Sequence, residues 1–173
     1  KTIASLIFSD INTKVYYVSL GSFDTHVAQE GQQKRLFTEL NDAVKAFTDD
    51  LKQNGRFNDV MMMTFSEFGR RIKSTSGLGS DHGYAAPMFL FGTKVTGGII
   101  GSNPILPVSC TVSDNIDMQY DFRQIYYSIM KRWLCQDSTS LQQIMLQNFD
   151  EVNICNNTDC APLGRPAFVN EQN

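Results

Sequence analysis

The hydrophobic residues of this chain fall into short continuous runs and into longer stretches with helical spacing. Residues 14–20 are rich in β-branched and aromatic side chains and end at Gly21, which is typical of a buried strand followed by a loop. Residues 60–65 form a continuous apolar run of the kind found in strands that are buried on both faces. Residues 87–91 supply a third run of strand length. The pattern therefore predicts three strands.

Two longer stretches carry apolar residues at three- and four-residue steps. The first predicts a helix over residues 29–53, which ends at Asn54-Gly55. The second predicts a helix over residues 119–134, and a shorter helix is predicted over residues 140–147. A strand, a helix and a second strand in this order indicate a βαβ unit, so we expect parallel strands at 14–20 and 60–65 with a right-handed crossover.

The length and charge of the chain limit the classes of protein to which it can belong. With 173 residues it is long enough for one domain with a sizeable core. A formal net charge of -3 argues against nucleic-acid binding, which favours a basic excess. No run approaches the ~18 apolar residues of a transmembrane helix. Because residue 1 is Lys, we expect either a removed leader or a piece of a longer protein, and we favour the piece.

Four cysteines lie in the last third of the chain, at positions Cys110, Cys135, Cys155 and Cys160. They allow three complete pairings, between which the sequence does not decide. The spacing of Cys155 and Cys160 suits a small disulfide loop, and two disulfides would fit an oxidising compartment. Four unrelated thiols are the alternative. We place a domain at residues 1–150 and a cysteine-containing tail or linker at residues 151–173.

The two histidines of the chain each lie close to an aspartate in a glycine-flanked loop. Asp24 and His26 follow the first predicted strand, Glu67 follows the second, and Asp81 and His82 precede the third. Because ligands gather at the carboxyl ends of parallel strands, we expect these side chains to converge. Imidazole and carboxylate together suit zinc, iron or manganese, and two metals about 4 Å apart can displace a phosphate or sulfate ester.

Simpler roles are open for the same residues. Asp24 could cap the helix that follows it. Glu67 could form a local ion-pair cluster with Arg70 and Arg71. Alternatively, Arg70 and Arg71 could bind the anion of a substrate, because guanidinium groups bind oxyanions in a bidentate manner.

Three segments carry a family resemblance, namely residues 21–26, 59–71 and 80–92. They resemble the bacterial family called domain of unknown function 1501, and the resemblance extends over residues 1 to about 150. That family in turn resembles the alkaline phosphatase and sulfatase superfamily, whose members are mostly exported metalloenzymes. The resemblance implies an alkaline-phosphatase-like α/β fold with a mostly parallel sheet flanked by helices, of which this chain would be the carboxy-terminal part. It also implies an exported bacterial protein.

The resemblance also assigns roles to individual residues. Asp24, His26 and His82 would bind one divalent metal, which could be Zn, Mn, Fe, Mg or Ca. Glu67 would belong to a second metal, which this chain could lack. Asp81 would be a further ligand, or a carboxylate that orients an imidazole.

Two functions from different classes remain open. The first is a metal-dependent hydrolase of phosphate or sulfate esters, and the second is a catalytically silent component of a cell-surface assembly. The nucleophile of the superfamily has no counterpart in this chain, so the missing amino-terminal half or another chain is the expected partner. In a third hypothesis the site residues are only loop caps in a plain α/β domain.

Overall fold

Helices, short strands and extended loops alternate along the chain. The structure, a computed structural model, describes residues 1–156. Within them the α-helices are α1 (Thr2–Phe8), α2 (Gln29–Gln53), α3 (Phe122–Arg132) and α4 (Ser138–Met145), and a 3-10 helix spans Phe57–Asp59. The strands are β1 (Met62–Met63), β2 (Gly69–Arg70), β3 (His82–Gly83) and β4 (Leu90–Phe91). The described chain is therefore a mixture of α and β structure with very short strands.

The four strands form two separate antiparallel pairs. β1 pairs with β4, with Met62 opposite Phe91, and β2 pairs with β3, with Gly69 opposite Gly83. Residues 14–20 form no strand, so the prediction of a strand there is wrong for this structure. Among residues 1–156 no parallel pair is present, and the alkaline-phosphatase-like parallel sheet stays a prediction.

Residues 15–20 have no ladder partner within the described chain, and most of this run is open to solvent. Val15, Tyr17 and Val18 are 70–72% exposed, so most of this apolar run is not covered by other described residues. The ring of Tyr17 lies 5.9 Å from that of Phe65, which places the run beside the end of β1. A strand requires ladder hydrogen bonds from a neighbour, and within the described chain no backbone partner reaches residues 15–20.

Helix α2 has the bounds that its periodicity predicts, Gln29–Gln53. Leu36 and Leu51 are fully buried on its apolar side. The helix ends at Asn54, and Gly55 follows with a left-handed φ of 67°, which glycine adopts without strain. Helix α1 packs against α2 and was not predicted, because a seven-residue helix offers fewer than two turns of periodicity.

The carboxy-terminal core joins α3 to residues 152–155. Val152, Ile154 and Cys155 are buried together. Ile125, Ile129 and Trp133 of the α3 region pack against them, as do Leu90 of β4 and Met61, which precedes β1. Buried Ser128 donates to the carbonyl of Gln124 at 2.7 Å and accepts from the Val152 amide at 2.9 Å. This cluster extends past residue 150, where we predicted the domain boundary.

The structure does not support the predicted disulfides among the cysteines that it describes. Among residues 1–156 no disulfide links Cys110, Cys135 and Cys155. The predicted bond between Cys155 and Cys160 lies outside the described residues. No helix in the described range is both long enough and apolar enough to span a bilayer.

Helix α3 begins with a capping box, which gives a first testable prediction. The Asp121 carboxylate accepts from the Arg123 amide at 2.9 Å, and Gln124 Oε1 accepts from the Asp121 amide at 3.1 Å. Asp121→Ala should lower the free energy of unfolding by about 1 kcal/mol at neutral pH, as measured by urea denaturation. Asp121→Asn is the matched control, because asparagine caps helices about as well as aspartate.

The same cap should show a defined pH dependence. A hydrogen bond from the Arg123 guanidinium holds the pKa of Asp121 below its ordinary value. A lowered folded-state pKa means that the contribution of this carboxylate is complete above the unfolded value of about 3.9 and is lost as the pH falls through the folded-state pKa. The difference between wild type and Asp121→Ala should therefore shrink below about pH 3.9. A difference that does not change with pH would contradict this account.

Candidate metal centre

Two loops lie against each other at the amino-terminal end of helix α2, and both carry predicted site residues. The amides of Ala28 and Gln29 donate to the carbonyls of Gly77 and Leu78, each at 2.9 Å. The backbones approach so closely at Gly79 that an added Cβ would lie 2.2 Å from the carbonyl oxygen of His26. This backbone contact brings residues 24–26 next to residues 79–82, although more than 50 positions separate them in sequence.

The β2–β3 hairpin fixes the position of the second histidine. Its ladder places Arg70 opposite His82, and the Arg71 amide donates to the carbonyl of Asp81 at 3.0 Å. The His82 ring stacks on the ring of Phe68, with centroids 3.7 Å apart and planes 5° from parallel. Backbone pairing and ring stacking together orient this imidazole.

Asp24, His26 and His82 converge at one point on the surface. Asp24 Oδ1 lies 2.8 Å from His26 Nε2 and 2.7 Å from His82 Nε2, and the two rings are 5.0 Å apart. One ligand atom from each residue lies within 4.8 Å of the others. The side chains are 44–63% exposed, so the open side of the cluster faces solvent.

Asp81 lies beside this cluster and not within it. Its Oδ1 is 3.5 Å from Nδ1 of His26, and its Oδ2 is 4.0 Å from Nη1 of Arg71. Of the two roles that we predicted for Asp81, this position fits the orienting carboxylate better than the metal ligand. A carboxylate behind the second nitrogen of a ligand histidine fixes the tautomer of the ring.

The cluster lowers the pKa of Asp24 below its ordinary value. The hydrogen bond with His82 is the largest cause, desolvation opposes it, and the charges of His26 and His82 add to the lowering. The favoured state of Asp24 is therefore the ionised carboxylate. An ionised carboxylate only accepts hydrogen bonds, so the bond between Asp24 and the His82 ring is one that the ring donates from Nε2.

Glu67 does not join this group. It lies exposed in the loop between β1 and β2, and among the described residues the group of close ligand atoms comprises Asp24, His26 and His82. The described contacts thus bring together the three residues predicted for the first metal. A second metal at Glu67 remains a prediction.

The two arginines predicted to bind an anion have contacts within the protein. Arg70 donates from Nη2 to the carbonyl of Phe23 and from Nη1 to that of Ser80. Arg71 donates from Nε to the carbonyl of His82 at 3.1 Å and from Nη1 to that of Val112 at 3.3 Å. These bonds support a role in holding the loops, and anion binding stays a prediction.

The donor set fits one cation of the zinc or iron type. Two imidazoles and one carboxylate are ligands that zinc and non-haem iron share, whereas calcium and magnesium prefer oxygen alone. Ligand atoms about 2.0–2.2 Å from a tetrahedral metal lie about 3.3–3.6 Å from one another. The contacts of 2.7 and 2.8 Å at Asp24 Oδ1 would therefore have to lengthen by about 0.5–0.9 Å, which exposed side chains can provide.

Comparison with known proteins connects this chain to one family model. The model described as "Protein of unknown function (DUF1501)" matches residues 3–133, which include all the residues of the site. No curated protein matches the chain, and no solved structure matches it. The family match therefore supplies no activity.

Proposed function

The chain belongs to the DUF1501 family, and from that premise we propose that it provides a site for one divalent metal in an exported hydrolase of phosphate or sulfate esters. The single observation that carries the proposal is the convergence of Asp24, His26 and His82 on one point. The same proposal includes a likeness of this family to the alkaline phosphatases and sulfatases and to their α/β scaffold.

Each residue of the site has a distinct task in this proposal. Asp24, His26 and His82 would hold the cation, which would act as a Lewis acid on an ester oxygen. Asp81 orients the His26 ring from its Nδ1 side, and Phe68 supports the His82 ring by stacking. The exposed side of the cluster leaves room for a substrate oxygen beside the three protein ligands. Zinc and iron suit this donor set best.

A catalytically silent surface component is the second candidate, and one observation favours it. The guanidinium groups of Arg70 and Arg71, which contact the site loops, donate to carbonyls of the protein. A site that hydrolyses phosphate or sulfate esters benefits from cations directed at the transferred oxyanion. If no other group supplies that charge, the metal would have a structural role.

Zinc binding and ester turnover, measured on the same samples, test the proposal. We expect the wild-type chain to bind one zinc ion by isothermal titration calorimetry. Asp24→Asn should weaken binding by about 10- to 100-fold, because the amide keeps an oxygen ligand but loses its charge. Asp49→Asn is the matched control, since Asp49 pairs with Lys45 on the exposed side of α2 and should leave zinc affinity unchanged.

The measurement of ester turnover distinguishes the two candidate functions. Zinc-loaded protein that hydrolyses an aryl phosphate or aryl sulfate, with loss of turnover in Asp24→Asn, would support the hydrolase. Zinc binding without turnover would support the silent component. Equal zinc affinity in wild type and Asp24→Asn would show that the cluster is not a metal site.

A further inference from the structure

The guanidinium of Arg70 lies between the two loops of the site and contacts both. Nη2 donates to the carbonyl of Phe23 at 2.5 Å, and Nη1 donates to the carbonyl of Ser80. These two carbonyls belong to the peptide groups that lead directly into Asp24 and Asp81. One planar cation thus fixes the backbone just before the first residue of each site segment.

The contacts of Arg70 are partly buried. Thr25, whose Oγ1 lies 3.3 Å from Nη2 of Arg70, is 2% exposed, and Ser80 is 7% exposed. Hydrogen bonds from a charged donor are about twice as strong as neutral ones, and partial burial preserves that strength. The bonds of Arg70 are therefore suited to holding the loops together against thermal motion.

Arg70 is also connected to the metal cluster through an aromatic ring. Its Cζ atom lies 5.1 Å from the centre of the Phe68 ring, which in turn stacks on His82. The same side chain therefore touches the backbone that carries Asp24 and the ring that supports His82. Arg70, which belongs to β2, therefore contacts both segments that carry the histidines of the site.

We propose that Arg70 is the positioning residue of the site, which holds Asp24 and His82 at ligand distance and does not bind substrate. This inference rests on the proposed metal site. In this proposal the Arg70 guanidinium donates to the carbonyls of Phe23 and Ser80, whereas the sequence predicted that it binds a substrate anion. Loss of Arg70 should separate the two loops while the helices remain folded.

Nuclear magnetic resonance of the zinc-free protein, combined with zinc titration, tests this assignment. The chain has two histidines, so a cross-peak between ring protons of His26 and His82 is simple to assign. We expect Arg70→Ala to lose this cross-peak, to keep its helical circular dichroism, and to bind zinc about 10- to 100-fold more weakly. Arg35→Ala is the matched control, because Arg35 pairs with Glu39 on the surface of α2.

A second variant keeps the test decisive if Arg70→Ala fails to fold. Arg70→Lys retains the positive charge but lacks the planar guanidinium group that donates to two carbonyls at once. This variant should therefore also lose the cross-peak, and its zinc affinity should fall by at least about 10-fold. A folded variant of either kind that keeps the cross-peak and the zinc affinity of Arg35→Ala would overturn the proposal. If wild type binds no zinc, the metal function fails, and the cross-peak in zinc-free protein still decides the role of Arg70.

Discussion

Replacing Gly79 with alanine is expected to destabilise the protein and to separate the loops that carry the two histidines. An added Cβ would lie 2.2 Å from the carbonyl oxygen of His26 and 2.3 Å from its carbonyl carbon, which is far inside contact distance. The obstructing atoms are backbone, so they cannot move aside as the end of a side chain does. Overpacking of this kind costs about 1–3 kcal/mol, and here we expect the upper end of that range or more.

Gly31→Ala is the matched control, and its expected effect has the opposite sign. Gly31 lies in helix α2, and an added methyl group there would meet no atom within 4 Å beyond the neighbouring backbone of its own helix. Alanine in a helix should stabilise the protein by roughly 0.5–1 kcal/mol relative to glycine. Urea denaturation of both variants measures these changes. A Gly79→Ala protein as stable as wild type would mean that the two loops are not in the described contact.

His82→Ala should abolish most of the metal binding while the fold survives. The mutation removes one of three ligands, and since loss of a supporting residue alone costs about 10- to 100-fold in affinity, loss of a ligand should exceed about 100-fold. The side chain of His82 is 44% exposed, and the β2–β3 ladder uses its backbone, so little of the core is disturbed. Zinc titration and thermal unfolding measure the two effects separately.

His82→Phe distinguishes the loss of a ligand from the loss of packing. Phenylalanine can keep the aromatic stack on Phe68, where the two rings are 3.7 Å apart, but offers no nitrogen. We therefore expect His82→Phe to lose zinc as completely as His82→Ala and to be at least as stable. Full zinc occupancy in either variant would show that His82 is not a ligand.

The sequence predicted those parts of the fold that depend on local periodicity. Helix α2 has the predicted bounds, and α3 lies within the predicted range, because apolar residues at helical spacing determine which side of a helix is buried. The strand over residues 14–20 was wrong, because a strand also depends on a partner that its own sequence does not specify. Helix α1 was too short for its pattern to be recognised.

The residues of the site were predicted better than the contacts that hold them. Aspartate–histidine pairs in glycine-flanked loops indicated Asp24, His26 and His82, and the structure brings these three together. The task of Arg70 could not be predicted, because its acceptors are backbone carbonyls, which every residue possesses. Phe68 gave no signal either, since an aromatic residue next to a strand is common in any α/β protein.

The buried hydroxyl of Ser128 has a consequence for hydrogen exchange. The Val152 amide lies outside the helices, yet its hydrogen bond goes to Ser128 Oγ, which in turn is anchored on the carbonyl of Gln124 in α3. This amide can exchange with solvent only when its hydrogen bond to the Ser128 hydroxyl breaks or when α3 itself opens. The opening free energy that the Val152 amide reports therefore cannot exceed that of α3, although the amide itself lies in an irregular segment.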